Sequence, residues 1–130
     1  MLICDDNPAM RTLLTVIVGT APGLEVAGQA ADGNEAVAEA TRIQPNVILL
    51  DLAMPNRSGL EALPELRYVA PRAQIIVFSG FAWAAVADEV MGLGAAAYLE
   101  KGADPETILA TIEAALANAP AVPASLAAGA

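Results

Sequence analysis

Five short apolar-rich runs alternate along this chain with stretches of helical periodicity, and that alternation constrains the fold more than any other feature. The most telling run is Val47-Ile48-Leu49-Leu50, which closes on Asp51. Four consecutive apolar residues between turn signals suit a strand buried on both faces, as in the middle of a parallel sheet. Similar runs cover Met1 to Asp5, Leu24 to Ala30, Gln74 to Phe78 with Ser79-Gly80 behind it, and Ala96 to Glu100 with Lys101 behind it. The intervening stretches predict helices. After Pro8, residues Met10, Leu13, Leu14, Ile17 and Val18 recur at the spacing of one buried helical face. Further helices are expected over Asn34–Ile43, Leu60–Val69 with a bend at Pro64, and Ala82–Met91. The last begins with Asp104 as N-cap and Pro105 in the first turn, and keeps its period through Ile108, Thr111, Ile112, Ala115 and Leu116.

Strand and helix alternating five times imply an α/β fold, a doubly wound parallel sheet with right-handed crossovers and helices on both faces. One domain is expected over residues 1–118, and the Ala/Pro-rich stretch 119–130, which has no periodic face, is expected to be a mobile tail.

In such a sheet the ligand site lies beyond the carboxyl ends of the strands. Asp5, Asp6, Asp51, Ser79 and Lys101 all stand there. Three carboxylates brought together repel one another unless a cation neutralises them, and oxygen ligands that leave room for water and phosphate favour Mg²⁺. Asp51 could then serve as a nucleophile toward phosphorus, with the Ser79 hydroxyl and the Lys101 ammonium meeting the charge of the incoming group. Taken singly, each residue has an ordinary alternative: a solvated acidic pair, a capping carboxylate, a turn serine, a surface lysine.

Charge and composition exclude several classes. With 15 acidic and 6 basic residues the formal net charge is −9, which repels nucleic acid. Much of the 56% hydrophobic fraction is alanine, and no uninterrupted apolar stretch approaches the ~20 residues of a membrane span. Nothing after Met1 resembles a secretory signal, and the lone Cys4 suits a reducing, cytoplasmic setting.

The ordered set Cys4-Asp5-Asp6, Leu49-Leu50-Asp51-Leu52-Ala53-Met54-Pro55, Phe78-Ser79-Gly80 and Tyr98-Leu99-Glu100-Lys101-Gly102 resembles the receiver domains of bacterial two-component response regulators. The likeness runs from Leu2 to about Leu116. It implies a flavodoxin-like sheet in the order 2-1-3-4-5, the arrangement of a familiar chemotaxis receiver. It further implies that Asp51 is the phosphorylated residue, Asp6 a direct Mg²⁺ ligand, Asp5 a ligand acting mainly through water, and the Ala53 carbonyl a further ligand. Ser79 and Lys101 take the places of the phosphate-binding hydroxyl and lysine, and Tyr98 that of the aromatic switch residue. The implied partners are a histidine kinase or phosphotransfer protein, and a downstream protein or second copy on the face made by the fourth helix, fifth strand and fifth helix. Receivers are signalling modules rather than enzymes, although they catalyse their own phosphoryl transfer and loss. The first strand starts closer to its acidic end than is usual in the family, and Gly102 follows the lysine where proline is frequent.

Other functions are less well supported by the residues. A phosphorylation-independent adaptor would not need the full acidic, hydroxyl and lysine set. A Mg²⁺-dependent phosphohydrolase commonly places a second acid two residues after its nucleophile, where this chain has Ala53. A dinucleotide enzyme would carry a Gly-x-Gly-x-x-Gly turn after the first strand, and here Asp5-Asp6 stands instead. The charge also yields a first prediction: at moderate salt this chain alone produces no sequence-specific gel shift, and such a shift would overturn the exclusion of direct nucleic-acid binding.

Overall fold

The computed structural model describes residues 1–118; the tail expected over 119–130 lies outside them, as do the side chains of Phe81 and Ala82. Five parallel strands, β1 (Leu2–Cys4), β2 (Gly28–Ala30), β3 (Val47–Leu50), β4 (Gln74–Ser79) and β5 (Ala97–Glu100), form one sheet in the order β2-β1-β3-β4-β5. The helices between them are α1 (Pro8–Gly19), α2 (Gly33–Ile43), α3 (Gly59–Val69), α4 (Ala87–Gly92) and α5 (Pro105–Ala117). The doubly wound architecture and strand order expected from the sequence are thus present.

The continuous apolar runs follow from burial of both sheet faces. Side chains alternate across a strand, so Leu2, Cys4, Ile48, Leu50, Ile75 and Val77 enter one core with Ala36, Ala40, Ala62, Leu63 and Leu66 of α2 and α3. Ile3, Val47, Leu49, Ile76 and Phe78 enter the other with Leu14, Ile17 and Val18 of α1 and Ile108, Ile112 and Ala115 of α5. No polar alternation survives in β1, β3 and most of β4 because neither face of these inner strands meets water.

Helix starts are secured by side chains that satisfy otherwise unpaired N–H groups. Asn7 accepts from Ala9 and Met10, Asp32 from Glu35, and Asp104 from Thr107. Ser58 and Glu61 form a reciprocal capping box at α3. That helix runs through Pro64 without a break.

Three expectations need correction. Leu13 is 51% exposed, because α1 turns only Leu14, Ile17 and Val18 fully inward and the helical face is narrower than the apolar pattern suggested. The second strand covers only Gly28–Ala30; ahead of it the Met1 ammonium donates to the Glu25 carbonyl at 2.6 Å and Ala27 N–H to the Met1 carbonyl at 2.8 Å, but Leu24–Ala27 has no place in the ladder register. The expected helix over Ala82–Met91 begins as a 3₁₀ segment, Phe81–Val86, and becomes α-helical only from Ala87. Neither part has a side-chain cap, so nothing local enforces the i to i+4 pattern at its start.

The correction to α1 predicts a contrast between neighbours. Leu14→Ala should cost about 3 kcal/mol in urea denaturation, as large-to-small changes in a packed core do, whereas Leu13→Ala should stay within about 0.5 kcal/mol. Equal losses would mean that both leucines are core residues.

Candidate functional site

The ladder hydrogen bonds continue past the strand ends and carry the polar residues into one cluster. Asp5 N–H donates to the Ala30 carbonyl at 3.0 Å, Asp51 N–H to the Cys4 carbonyl at 2.9 Å, and Lys101 N–H to the Ser79 carbonyl at 2.8 Å. With Cys4 opposite Leu50 and Ser79 opposite Glu100, the residues that follow these pairs share the carboxyl edge of the sheet.

Asp51 is buried and fully engaged. Its Oδ1 accepts from Ser79 Oγ at 3.1 Å and from Ala53 N–H at 3.2 Å, and its Oδ2 from Lys101 Nζ at 2.9 Å. Asp5, also buried, accepts from Asn7 N–H on Oδ1 at 2.9 Å. Its Oδ2 lies 2.9 Å from the same Lys101 Nζ but is not aligned for a hydrogen bond, so it has charge compensation and no hydrogen-bond donor. Asp6 is exposed, and carboxylate oxygens of Asp5, Asp6 and Asp51 lie within 4.8 Å of one another.

Burial pushes the Asp51 carboxyl above the usual range, against the opposing pull of Lys101. Burial would lower Lys101, but its ion pair with Asp5 and its hydrogen bond and ion pair with Asp51 outweigh that and hold the ammonium above its ordinary value. One cation is therefore shared between two buried carboxylates, and a third carboxylate stands at the rim. An oxygen-only donor set with an unbonded, buried carboxylate oxygen fits a hard divalent cation such as Mg²⁺.

Two features of the site escaped the sequence reading. Gly59 opens α3 directly under the site, where a Cβ would lie 2.0 Å from the Asp51 carbonyl oxygen. Only glycine lets the helix start pack so closely against the end of β3, and a Gly immediately after the Ser58 cap is the signal that pointed to it. Arg11 donates from Nη1 to the Asp5 carbonyl at 2.7 Å, tying α1 to the β1 end; its placement in an amphipathic helix carried no such signal.

Tyr98 stands apart from the cluster, two residues before Glu100 on β5. It packs on the α2–α3 side of the sheet with Trp83 and Val86, and its buried hydroxyl has no hydrogen-bond partner among the described residues. Burial, with Glu100 nearby, raises its pKa.

Residues 1–113 match the model of the response regulator receiver domain family. The chain belongs to that family. The receiver is 35% identical over 118 residues to the nitrate/nitrite response regulator protein NarL of Escherichia coli strain K12, an alignment covering 91% of this chain and 55% of NarL. It therefore spans about half the length of that relative. Against the chemotaxis protein CheY of Thermotoga maritima it is 35% identical over 109 residues, covering 84% of this chain and 90% of CheY. Among solved structures, the response regulator domain of Thermotoga maritima CheB superposes with a TM-score of 0.85 at 32% identity, covering 92% of this receiver and 96% of that chain. The CheX–CheY–BeF₃–Mg²⁺ complex of Borrelia burgdorferi gives a TM-score of 0.80 at 27% identity, covering 87% of this receiver and 85% of that chain. No helix among the described residues is long and apolar enough to cross a membrane.

The raised Asp51 pKa has a consequence for stability. A carboxyl whose folded pKa is raised favours folding while protonated, and that contribution is lost as pH rises through the folded value. Without divalent metal, Asp51→Asn should therefore be at least as stable as the parent at pH 7. Its advantage should shrink as pH falls below the ordinary carboxylate range, where Asp51 is protonated in both states. Thermal melts in chelator across this range check the sign; a variant less stable at pH 7 than at pH 3, relative to parent, would contradict it.

Proposed function

We propose that this receiver accepts a phosphoryl group on Asp51 and passes the event to a protein partner through a change in surface. The observation that carries the reading is the Asp51 carboxylate itself. It is buried at the sheet edge between a hydroxyl, a backbone N–H and an ammonium, and is flanked by two further carboxylates. A capping or structural aspartate has no need of that company.

In the proposed reaction an Asp51 carboxylate oxygen attacks the phosphorus of a phosphohistidine or small phosphodonor, the bond to the donor breaks, and an aspartyl phosphate forms. Asp5, Asp6, Asp51 and the Ala53 carbonyl would hold Mg²⁺, which supplies charge neutralisation between carboxylates and phosphoryl oxygens. Lys101, already 2.9 Å from Asp51 Oδ2, is placed to follow the negative charge onto the phosphoryl group. Ser79, which now donates to Asp51 Oδ1, has the same option. Exchanging these bonds from carboxylate to phosphoryl oxygens is the proposed start of the switch. Phosphate shifts a conformational balance only by bonding the two states unequally. The uncapped segment Phe81–Val86 and the Tyr98 hydroxyl, which has no partner among the described residues, are where the balance has least to overcome.

The partner on the input side is a histidine kinase or phosphotransfer protein. On the output side it is a downstream protein or a second copy, meeting the face of α4, β5 and α5. A cytoplasmic setting belongs to the same reading, in which Cys4 stays a buried thiol whose pKa burial pushes up.

Intact mass after incubation with Mg²⁺ and a small phosphodonor tests the reading. The parent should gain one base-labile phosphoryl group and Asp51→Asn none; equal labelling would reject Asp51 as acceptor. Chelation should suppress labelling, and full labelling in chelator would remove the metal from the account. Ser79→Ala should still be labelled but respond less in Trp83 fluorescence and in association. No phosphorylation-dependent change in the parent would leave the phosphorylation-independent adaptor as the better function.

A further inference from the structure

The loop between β3 and α3 carries Ala53, and it is clamped from outside the site by the turn that opens α2. Asp32 is buried, and its two carboxylate oxygens are divided between two tasks. Oδ1 caps α2 by accepting from Glu35 N–H at 2.8 Å, while Oδ2 accepts from the Asn56 side-chain amide at 3.0 Å. Next to it, Gly33 N–H donates to the Arg57 carbonyl at 2.7 Å, and a Cβ on Gly33 would stand 2.6 Å from that oxygen. Two backbones therefore meet in contact at this point.

The loop itself is not in a relaxed conformation. Asn56 has φ of 64°, in the left-handed region that a non-glycine residue occupies at some cost. A side-chain hydrogen bond to a buried carboxylate is the kind of interaction that offsets such a cost. The hydrogen bonds it accepts, first from Asn56 and then from Glu35 N–H, hold Asp32 below the usual carboxylate range.

On the other side the loop is held by Gly59 N–H, which donates to the Leu52 carbonyl at 3.0 Å. Ala53, Met54 and Pro55 thus span two fixed points, Leu52 and Asn56. Ala53 N–H is one of the donors to Asp51, and its carbonyl is the ligand proposed above for Mg²⁺.

We propose that Asp32 and Asn56 are positioning residues, a latch that holds the Ala53 segment at the geometry the metal and Asp51 require. The inference rests on the reading of Asp5, Asp6, Asp51 and Ala53 as a Mg²⁺ site. Neither latch residue touches the reacting groups; both act through the loop backbone. Outer partners that orient ligands commonly change metal affinity by about 10- to 100-fold when removed.

A charge exchange tests this. Asn56→Asp places a carboxylate against Asp32 and should open the latch. The double variant Asp32→Asn, Asn56→Asp reverses donor and acceptor, preserves a side chain able to cap α2, and restores the parent's net charge. Mg²⁺ alone is titrated by calorimetry into the parent and both variants, with thermal melts confirming that each is folded. The latch predicts affinity about tenfold weaker in Asn56→Asp and within about threefold of the parent in the double variant. A simple electrostatic effect predicts the opposite sign, because an added carboxylate attracts the ion. Should Asn56→Asp not fold, Asn56→Gly replaces it: glycine accepts the positive φ freely and removes only the amide, and the latch predicts weaker binding there too. Equal affinity in the parent and the opened variant overturns the latch while leaving the Mg²⁺ site intact. Absence of Mg²⁺ binding in the parent overturns both, and the Asp51 labelling experiment still judges the acceptor on its own.

Discussion

Lys101 stands 2.9 Å from a carboxylate oxygen of Asp5 and 2.9 Å from one of Asp51, and both acids are buried. Two desolvated carboxylates side by side oppose folding unless positive charge is brought to them, and removing the partner of a buried charge is among the more destabilising changes available to a protein. The parallel ladder permits the arrangement because backbone bonds to Cys4, Ala30 and Ser79 hold these strand ends whatever their side chains would prefer. Folding free energy from two apolar cores is in effect used to keep an unfavourable charge cluster in place. Such a cluster would gain from a divalent cation and from a group that can share its ammonium, and the proposed phosphoryl-accepting function rests on that property.

The sequence made the sheet legible for a specific reason. Strands buried on both faces must be apolar at successive positions, so Val47–Leu50 and Gln74–Phe78 stand out without any alternation, and the polar residues that end them then mark the open edge. Caps were legible where the capping side chain is local, as at Asp104. What stayed hidden depends on partners distant in sequence. Leu13 follows the apolar spacing of α1, yet how much of that helix the sheet and α5 cover is set by packing, not by period. The 3₁₀ start before α4 reflects missing caps and tertiary placement over a stretch whose alanine content favours a helix of either kind. The second strand shortens because only Gly28–Ala30 lies beside β1.

The site shows the same division. Asp5, Asp6, Asp51, Ser79 and Lys101 could be placed together from strand ends alone. That Lys101 bridges Asp5 to Asp51, that Gly59 must lack a Cβ beneath Asp51, and that Asp32 reaches Asn56 are relations between segments 24 to 96 residues apart or packed through backbone. Periodicity says nothing about them. The ordered motif set nevertheless points to the family without any geometry, because four short strings in one order are far more specific than any pair of acids.

The account turns on where covalent phosphate resides, and chemical trapping answers that most directly. Borohydride reduces an aspartyl phosphate to homoserine, so protein treated with Mg²⁺ and a small phosphodonor, then reduced and digested, can be read by peptide mass spectrometry. Homoserine at position 51, dependent on the donor, is the expected result. Homoserine at Asp5, Asp6 or another carboxylate, with position 51 unchanged, would contradict it.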